Sequence, residues 1–201
     1  MTTDSVRPLV VMALPQEGGP LFENAQVPVL YTGVGKINAA YHLTLKLAEY
    51  RAQNLPLPLV VNFGTAGSAQ FERGQLVSCN TFVQRDMDAS PLGFEPGVTP
   101  FDPAPKILTF PSLTTHLPEA VCGTGDSFAT SHVETHFNVV DMEAYALAKV
   151  CWLQRVRFGS IKFVTDGADD GAANAWQETV GHAAERFLEL YQRLSTASRY
   201  R

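Results

Sequence analysis

A chain of 201 residues, 45% of them hydrophobic, fits one domain with an ordinary buried core. A net charge of −5 without any basic run argues against a nucleic-acid-binding surface. The longest N-terminal apolar run, Leu9 to Leu14, is too short for a signal-peptide core or a membrane span. Three cysteines, Cys79, Cys122 and Cys151, show no paired spacing, so neither a disulfide framework nor a zinc site is indicated. The expectation is one cytoplasmic domain over residues 1–201, with 1–8 and 195–201 as loose ends.

Leu9–Leu14 reads as a first buried strand. The loop Pro15–Pro20 after it sets Glu17 just past a strand's C-terminal end, as a site acid or a solvated carboxylate. Val27–Tyr31 is a second strand, followed by Gly33-Val34-Gly35-Lys36. Asn38 stands where a dinucleotide fingerprint needs its third glycine, and Leu30 where a P-loop needs its first. The two glycines still let backbone amides approach a ligand ahead of a helix, Ile37–Arg51. Leu59–Phe63 is a third strand, and Gly64-Thr65-Ala66-Gly67 reads as a turn offering backbone donors and one hydroxyl.

Leu76–Arg85 is another strand, ending in Asp86-Met87-Asp88. Pro91–Pro105 holds five prolines and two glycines and reads as a long ordered loop. Its Leu92, Phe94 and Phe101 are too apolar for a free surface and call for cover, such as a second subunit. Glu119–Cys122 leads into Gly123-Thr124-Gly125-Asp126-Ser127-Phe128. His132 and His136 lie at i,i+4, but Val133 stands where a zinc-protease motif needs Glu and no third ligand is evident, so no metal is expected.

Val139–Asp170 organises the rest. Asn138-Val139-Val140 is β-prone, Met142–Gln154 is rich in helix formers, and Phe158–Thr165 is apolar enough for a strand buried on both faces. A strand, crossover helix and strand predict a parallel right-handed unit. Asp141 and Glu143 would then stand at one strand end and Asp166 at the next, where open α/β sheets bind ligands. Asn174–Leu194 reads as one amphipathic helix with Trp176, Val180, Ala183, Phe187, Leu190 and Leu194 on its apolar stripe.

Glu17, G-V-G-K, G-T-A-G, R-D-M-D, G-T-G-D-S-F, V-D-M-E-A and T-D-G-A-D, in that order, resemble the purine nucleoside phosphorylase/nucleosidase superfamily. The match is nearest to its methylthioadenosine/S-adenosylhomocysteine nucleosidases and spans about Leu9 to Leu190. The resemblance implies a three-layer α/β/α single domain around a twisted mixed sheet, usually a homodimer, acting on a small nucleoside without a cofactor. It makes Glu17 the acid that activates water and Asp166 the acid that protonates the leaving base. Glu143 would hold the ribose hydroxyls, Met142 would lie against the sugar, and Thr65 would stand beside it. Phe128 would stack on the base, and Leu92 and Phe94 would reach the 5′-substituent across the dimer.

The residue types suit that chemistry. Cleaving an N-glycosidic bond needs one carboxylic acid to protonate the departing base and one carboxylate to take a proton from water. Asp166 is expected to work protonated through burial and Glu17 ionised. The phosphorylases hold phosphate with arginines near the first loop and before G-T-A-G. Here those places read P-Q-E-G-G-P and V-N-F, with Asn62, so water is the expected nucleophile. The segment between Leu14 and Gly33 lacks much of a β-hairpin usual in the family. A methylthioadenosine-like substrate ranks first, a futalosine-type substrate second and a phosphorylase third. A non-catalytic nucleoside sensor is the reading from another class.

Overall fold

Eight strands of one mixed sheet and five helices follow one another in the computed structural model, which describes residues 7–130, 136–169 and 171–197. The strands are β1 (Leu9–Met12), β2 (Val29–Tyr31), β3 (Val60–Gly67), β4 (Leu76–Gln84), β5 (Ile107–Thr109), β6 (Glu119–Thr124), β7 (Val139–Asp141) and β8 (Phe158–Asp166). The helices are α1 (Pro15–Asn24), α2 (Lys36–Ala52), α3 (Ala144–Gln154), α4 (Ala172–Thr179) and α5 (Ala183–Ala197).

Two long strands change neighbours along their length and close the sheet on itself. β3 pairs with β1 through its first half and, at Gly67, with Val140 of β7. Along its other edge it runs parallel to β8. β8 pairs antiparallel with β4, β4 parallel with β6, and β6 parallel with β7. The path β3–β8–β4–β6–β7 thus returns to β3 as a ring. β2 extends β1, and β5 extends the far end of β4.

Side-chain alternation separates two apolar layers. Val60 and Ala66 of β3, with Phe158 and Val164 of β8, join Leu43 and Leu47 of α2 and Leu147 and Val150 of α3. Val61 and Phe63, with Ile161 and Phe163, join Phe22 of α1 and Phe187 and Tyr191 of α5. Phe63 stacks on Phe187 at a centroid distance of 4.9 Å. These are the helix, sheet and helix layers of the expected α/β/α domain. No described helix is long and apolar enough to cross a membrane.

Four local expectations are corrected. Residues 15–20 are not a loop but the start of α1. Pro15 occupies its first turn, and Glu17 at its third position accepts the Leu14 N–H, both helix-start signals. The Gly-Gly-Pro run does not stop the helix but kinks it at Gly19, whose φ of 52° suits glycine. Gly64–Gly67 is not a turn, because β8 pairs alongside it, with one register shift between Ala66 and Gly67, and carries β3 to Gly67.

The strands flanking α3 are neither neighbours nor parallel: β7 runs antiparallel to β3, and β8 parallel to it. Their acidic ends still converge, because Gly67 pairs with Val140 on one side and Asp166 on the other. The helix foreseen over 174–194 is broken. α4 ends at Thr179, a 3-10 turn spans Val180–His182, and α5 runs on to Ala197, past the fray expected at Ser195. The short β5 was not foreseen. The His132–Thr135 part of the two-histidine segment lies outside the described residues, as do 1–6 and 198–201.

A Cβ at Gly67 would lie 2.5 Å from Asp166 Oδ1 and 3.2 Å from both Ala168 Cβ and Val140 Cγ2. Gly67→Ala is therefore expected to destabilise by about 1–3 kcal/mol through overpacking. Gly181→Ala, with nothing within 4 Å of the new methyl, should stay within about 0.5 kcal/mol. Urea unfolding of both variants checks the contrast.

Candidate active site

A cavity of about 280 Å³ opens where β3, β7 and β8 end, walled also by the start of α1, the 127–129 segment and α4. Glu17, Thr65, Phe128, Met142, Glu143 and Asp166 all line it. Of the sequence-predicted site residues, only Leu92 and Phe94 lie elsewhere in the chain. Leu92 is 74% exposed, and Phe94 packs edge-on against Phe101 at 5.5 Å.

Glu17 is buried, not solvated. Its Oε2 accepts the N–H groups of Ala13 (2.9 Å) and Leu14 (3.1 Å). Its Oε1 accepts the N–H (2.8 Å) and the hydroxyl (3.1 Å) of Thr65. Four donors on an acceptor-only group hold the carboxylate rigidly at the junction of β1, α1 and β3. Asp166 is buried as well, with Oδ2 accepting the Thr165 hydroxyl (2.7 Å) and Oδ1 the Ala168 N–H (2.9 Å).

Glu143 stands at the N-cap of α3, where its Oε1 accepts the Gly35 N–H at 2.8 Å. Gly35 has φ 96°, a backbone shape that favours glycine. The amides opened by G-V-G-K thus serve the protein's own acids. Gly35 takes Glu143, and the Lys36 N–H takes Asp126 Oδ1 at 2.8 Å. Burial, then the charge of Asp141, push the Glu143 carboxyl up to about 8 against the opposing pull of Lys162 and Gly35.

Two cations at the site had no role assigned from the sequence, although Arg85 heads the R-D-M-D motif. Lys162 Nζ pairs with Asp141 Oδ2 at 2.8 Å, both side chains 1% exposed. Burial alone would raise the Asp141 carboxyl. Lys162, the Thr124 hydroxyl (2.5 Å) and the Ala144 N–H (2.8 Å) outweigh it and hold the group below its ordinary value. Burial would likewise lower the Lys162 ammonium, but Asp141 overrides it and raises it. A lone Lys inside an apolar strand was the available signal.

Arg85 lies on the cavity wall. It packs over Gly125 and donates to Ser127 Oγ (3.2 Å), Gly125 O (3.4 Å) and the Ser127 carbonyl, bracing the segment that carries Phe128. Trp176, assigned by its spacing to the core stripe, is turned to the cavity instead. Among the described residues, no group of three or more His, Cys, Asp or Glu side chains could hold a metal ion.

The raised Glu143 group sets a pH dependence. Between its ordinary value of 4.5 and about 8, the folded chain keeps a proton that the unfolded chain has lost. Stability from this group therefore falls as pH rises through that window. Glu143→Gln keeps an acceptor for Gly35 but no longer titrates. Its urea midpoint should fall less than that of the wild type between pH 5 and pH 8.

Known proteins resemble this chain in sequence and fold. The Phosphorylase superfamily profile matches residues 19–196. A 5′-methylthioadenosine/S-adenosylhomocysteine nucleosidase of Haemophilus ducreyi is 30% identical over 83% of this chain and 78% of its own length. One from Marinomonas is 28% identical over 86% and 82%. The structure of the Streptococcus pyogenes S-adenosylhomocysteine nucleosidase superposes with a TM-score of 0.81 at 17% identity, covering 96% of this chain and 98% of that one. A mutant of the Helicobacter pylori futalosine hydrolase gives 0.79 at 20% identity, covering 94% and 99%. With three acids around one cavity and matches of this extent, the chain belongs to the phosphorylase superfamily and, within it, to the nucleoside-hydrolysing enzymes.

Proposed function

We propose that this enzyme cleaves the N-glycosidic bond of a 5′-methylthioadenosine-like purine nucleoside with water, in the cytoplasm and as a homodimer. The observation that carries the reading is the placement of Glu17, Glu143 and Asp166 on three separate elements around one cavity. Glu17 takes a proton from the attacking water, and Asp166 gives one to the leaving base. Glu143, with Met142 beside it, holds the ribose. Phe128, 46% exposed at the cavity, offers its ring to the base.

Phosphorolysis is the second reading, favoured by the presence of Arg85 on the wall. Against it, that guanidinium already serves Ser127 and Gly125. Asn62, where an arginine would be expected, is spent inside the fold: it donates to the Val11 carbonyl and accepts from Ser160. A futalosine-type substrate uses the same carboxylates. A sensor would need no proton donor.

The dimer reading rests on unpartnered apolar surface. Ile37, Tyr41 and Leu45 recur at helical spacing along α2, exposed by 81%, 60% and 47%. Lys36 bonds Asp86 and so ties that helix to the segment leading to Leu92 and Phe94. In a dimer these two side chains would close the partner's cavity at the 5′ end.

The purified protein should release free base from methylthioadenosine without phosphate. Release only with phosphate would establish the phosphorylase instead. Asp166→Asn should lower kcat/KM by about 10²–10⁴-fold, the worth of a general acid, with nucleoside binding retained. Sedimentation should report two chains, and one chain once Ile37 and Tyr41 are both changed to Glu.

A further inference from the structure

Trp176 borders the cavity from α4, beside Ala173 and Gln177. Its indole Nε1–H donates to Thr65 Oγ1 at 3.0 Å. The Thr65 hydroxyl donates onward to Glu17 Oε1 at 3.1 Å, and the Thr65 N–H reaches the same oxygen at 2.8 Å. A threonine hydroxyl has one proton and two acceptor lone pairs, whereas an indole N–H can only donate. The indole therefore occupies a lone pair of Thr65 and sends its single proton away, toward the carboxylate.

We propose that Trp176 is a positioning residue for water activation: its indole N–H locks the Thr65 hydroxyl as a donor to Glu17. The proposal rests on the nucleosidase reading above. Trp176 acts through Thr65 and not on the reacting atoms. Without the indole bond the hydroxyl can rotate about its C–O bond and offer its proton to the sugar, leaving Glu17 Oε1 to the Thr65 N–H. With it, successive bonds polarise one another, and both Thr65 donors hold Oε1 where Glu17 lines the cavity. α4 follows β8 in the chain, so the strand that supplies the base-protonating acid is succeeded by the helix carrying the residue that sets the water-activating one.

The test is a double-mutant cycle on Trp176→Phe and Thr65→Val with methylthioadenosine as substrate. Phe keeps an aromatic ring in the wall and removes the donor, and the Thr65→Val background separates the lost bond from the lost volume. One hydrogen bond is worth roughly two- to thirteen-fold in kcat. Trp176→Phe should show that loss with KM unchanged within about twofold, and it should add nothing in the Thr65→Val background.

The chain has two tryptophans, so in a Trp152→Phe background the emission reports Trp176 alone. Thr65→Val should move that emission, because the indole loses its acceptor. Wild-type kcat in Trp176→Phe, an equal loss in both backgrounds, or unmoved emission would overturn the proposal while leaving the nucleosidase standing. A wild-type protein that releases no base from any purine nucleoside would bring down both.

Discussion

The buried pair of Lys162 and Asp141 is the constraint on which the site depends. Both side chains are 1% exposed and 2.8 Å apart, so two charges have left water inside a ring of strands. Such a pair seldom gains net stability over apolar packing, because desolvation consumes the Coulomb attraction, yet removing one partner strands the other at a cost of several kcal/mol. Here it does electrostatic service. Lys162 belongs to β8, which ends in Asp166, and Asp141 belongs to β7, which leads into Glu143. Asp141 pushes the Glu143 proton affinity up while Lys162 moderates it. One acid is held charged and the acid two residues on is raised, although they share one strand end.

The same economy governs how the acids are held. Each is gripped by main-chain amides: Glu17 by Ala13, Leu14 and Thr65, Glu143 by Gly35, Asp141 by Ala144, and Asp166 by Ala168. Amides belong to strands and helix starts and cannot change rotamer, so the acids are placed by the fold itself. Preorganised groups of this kind need no rearrangement when charge develops on a substrate. Gly67 is the geometric counterpart. Only a residue without a side chain lets β7, β3 and β8 come close enough to put Asp166 against the backbone opposite Val140.

Legibility in the sequence followed the range of the interactions. Buried runs such as Leu9–Met12 and Phe158–Asp166 are strands whichever neighbours they find, because nine consecutive buried positions in β8 leave no polar face. The acids were legible for a related reason: carboxylates directly after apolar strands are local features. Neighbour choice was not. Whether β7 and β8 are parallel depends on ring closure through β3, decided by Gly67 and Val140, far apart in sequence. The strand nature of Gly64–Gly67 likewise comes from β8 pairing alongside it, which overrides the turn preference of two glycines.

Lys162, Arg85 and Trp176 were missed for a different reason: their roles lie in what they touch. A tryptophan spaced for an apolar stripe looks the same whether its ring is core or cavity wall, until a 3-10 turn at Val180–His182 separates α4 from α5 and frees it from the stripe. The core beyond the break, Ala183, Phe187 and Tyr191, keeps the helical spacing and remains buried. The break therefore divides one amphipathic pattern into two uses, packing after it and the cavity wall before it. Periodicity read along the chain could find the stripe, but only the bend in the backbone decides where its first member points.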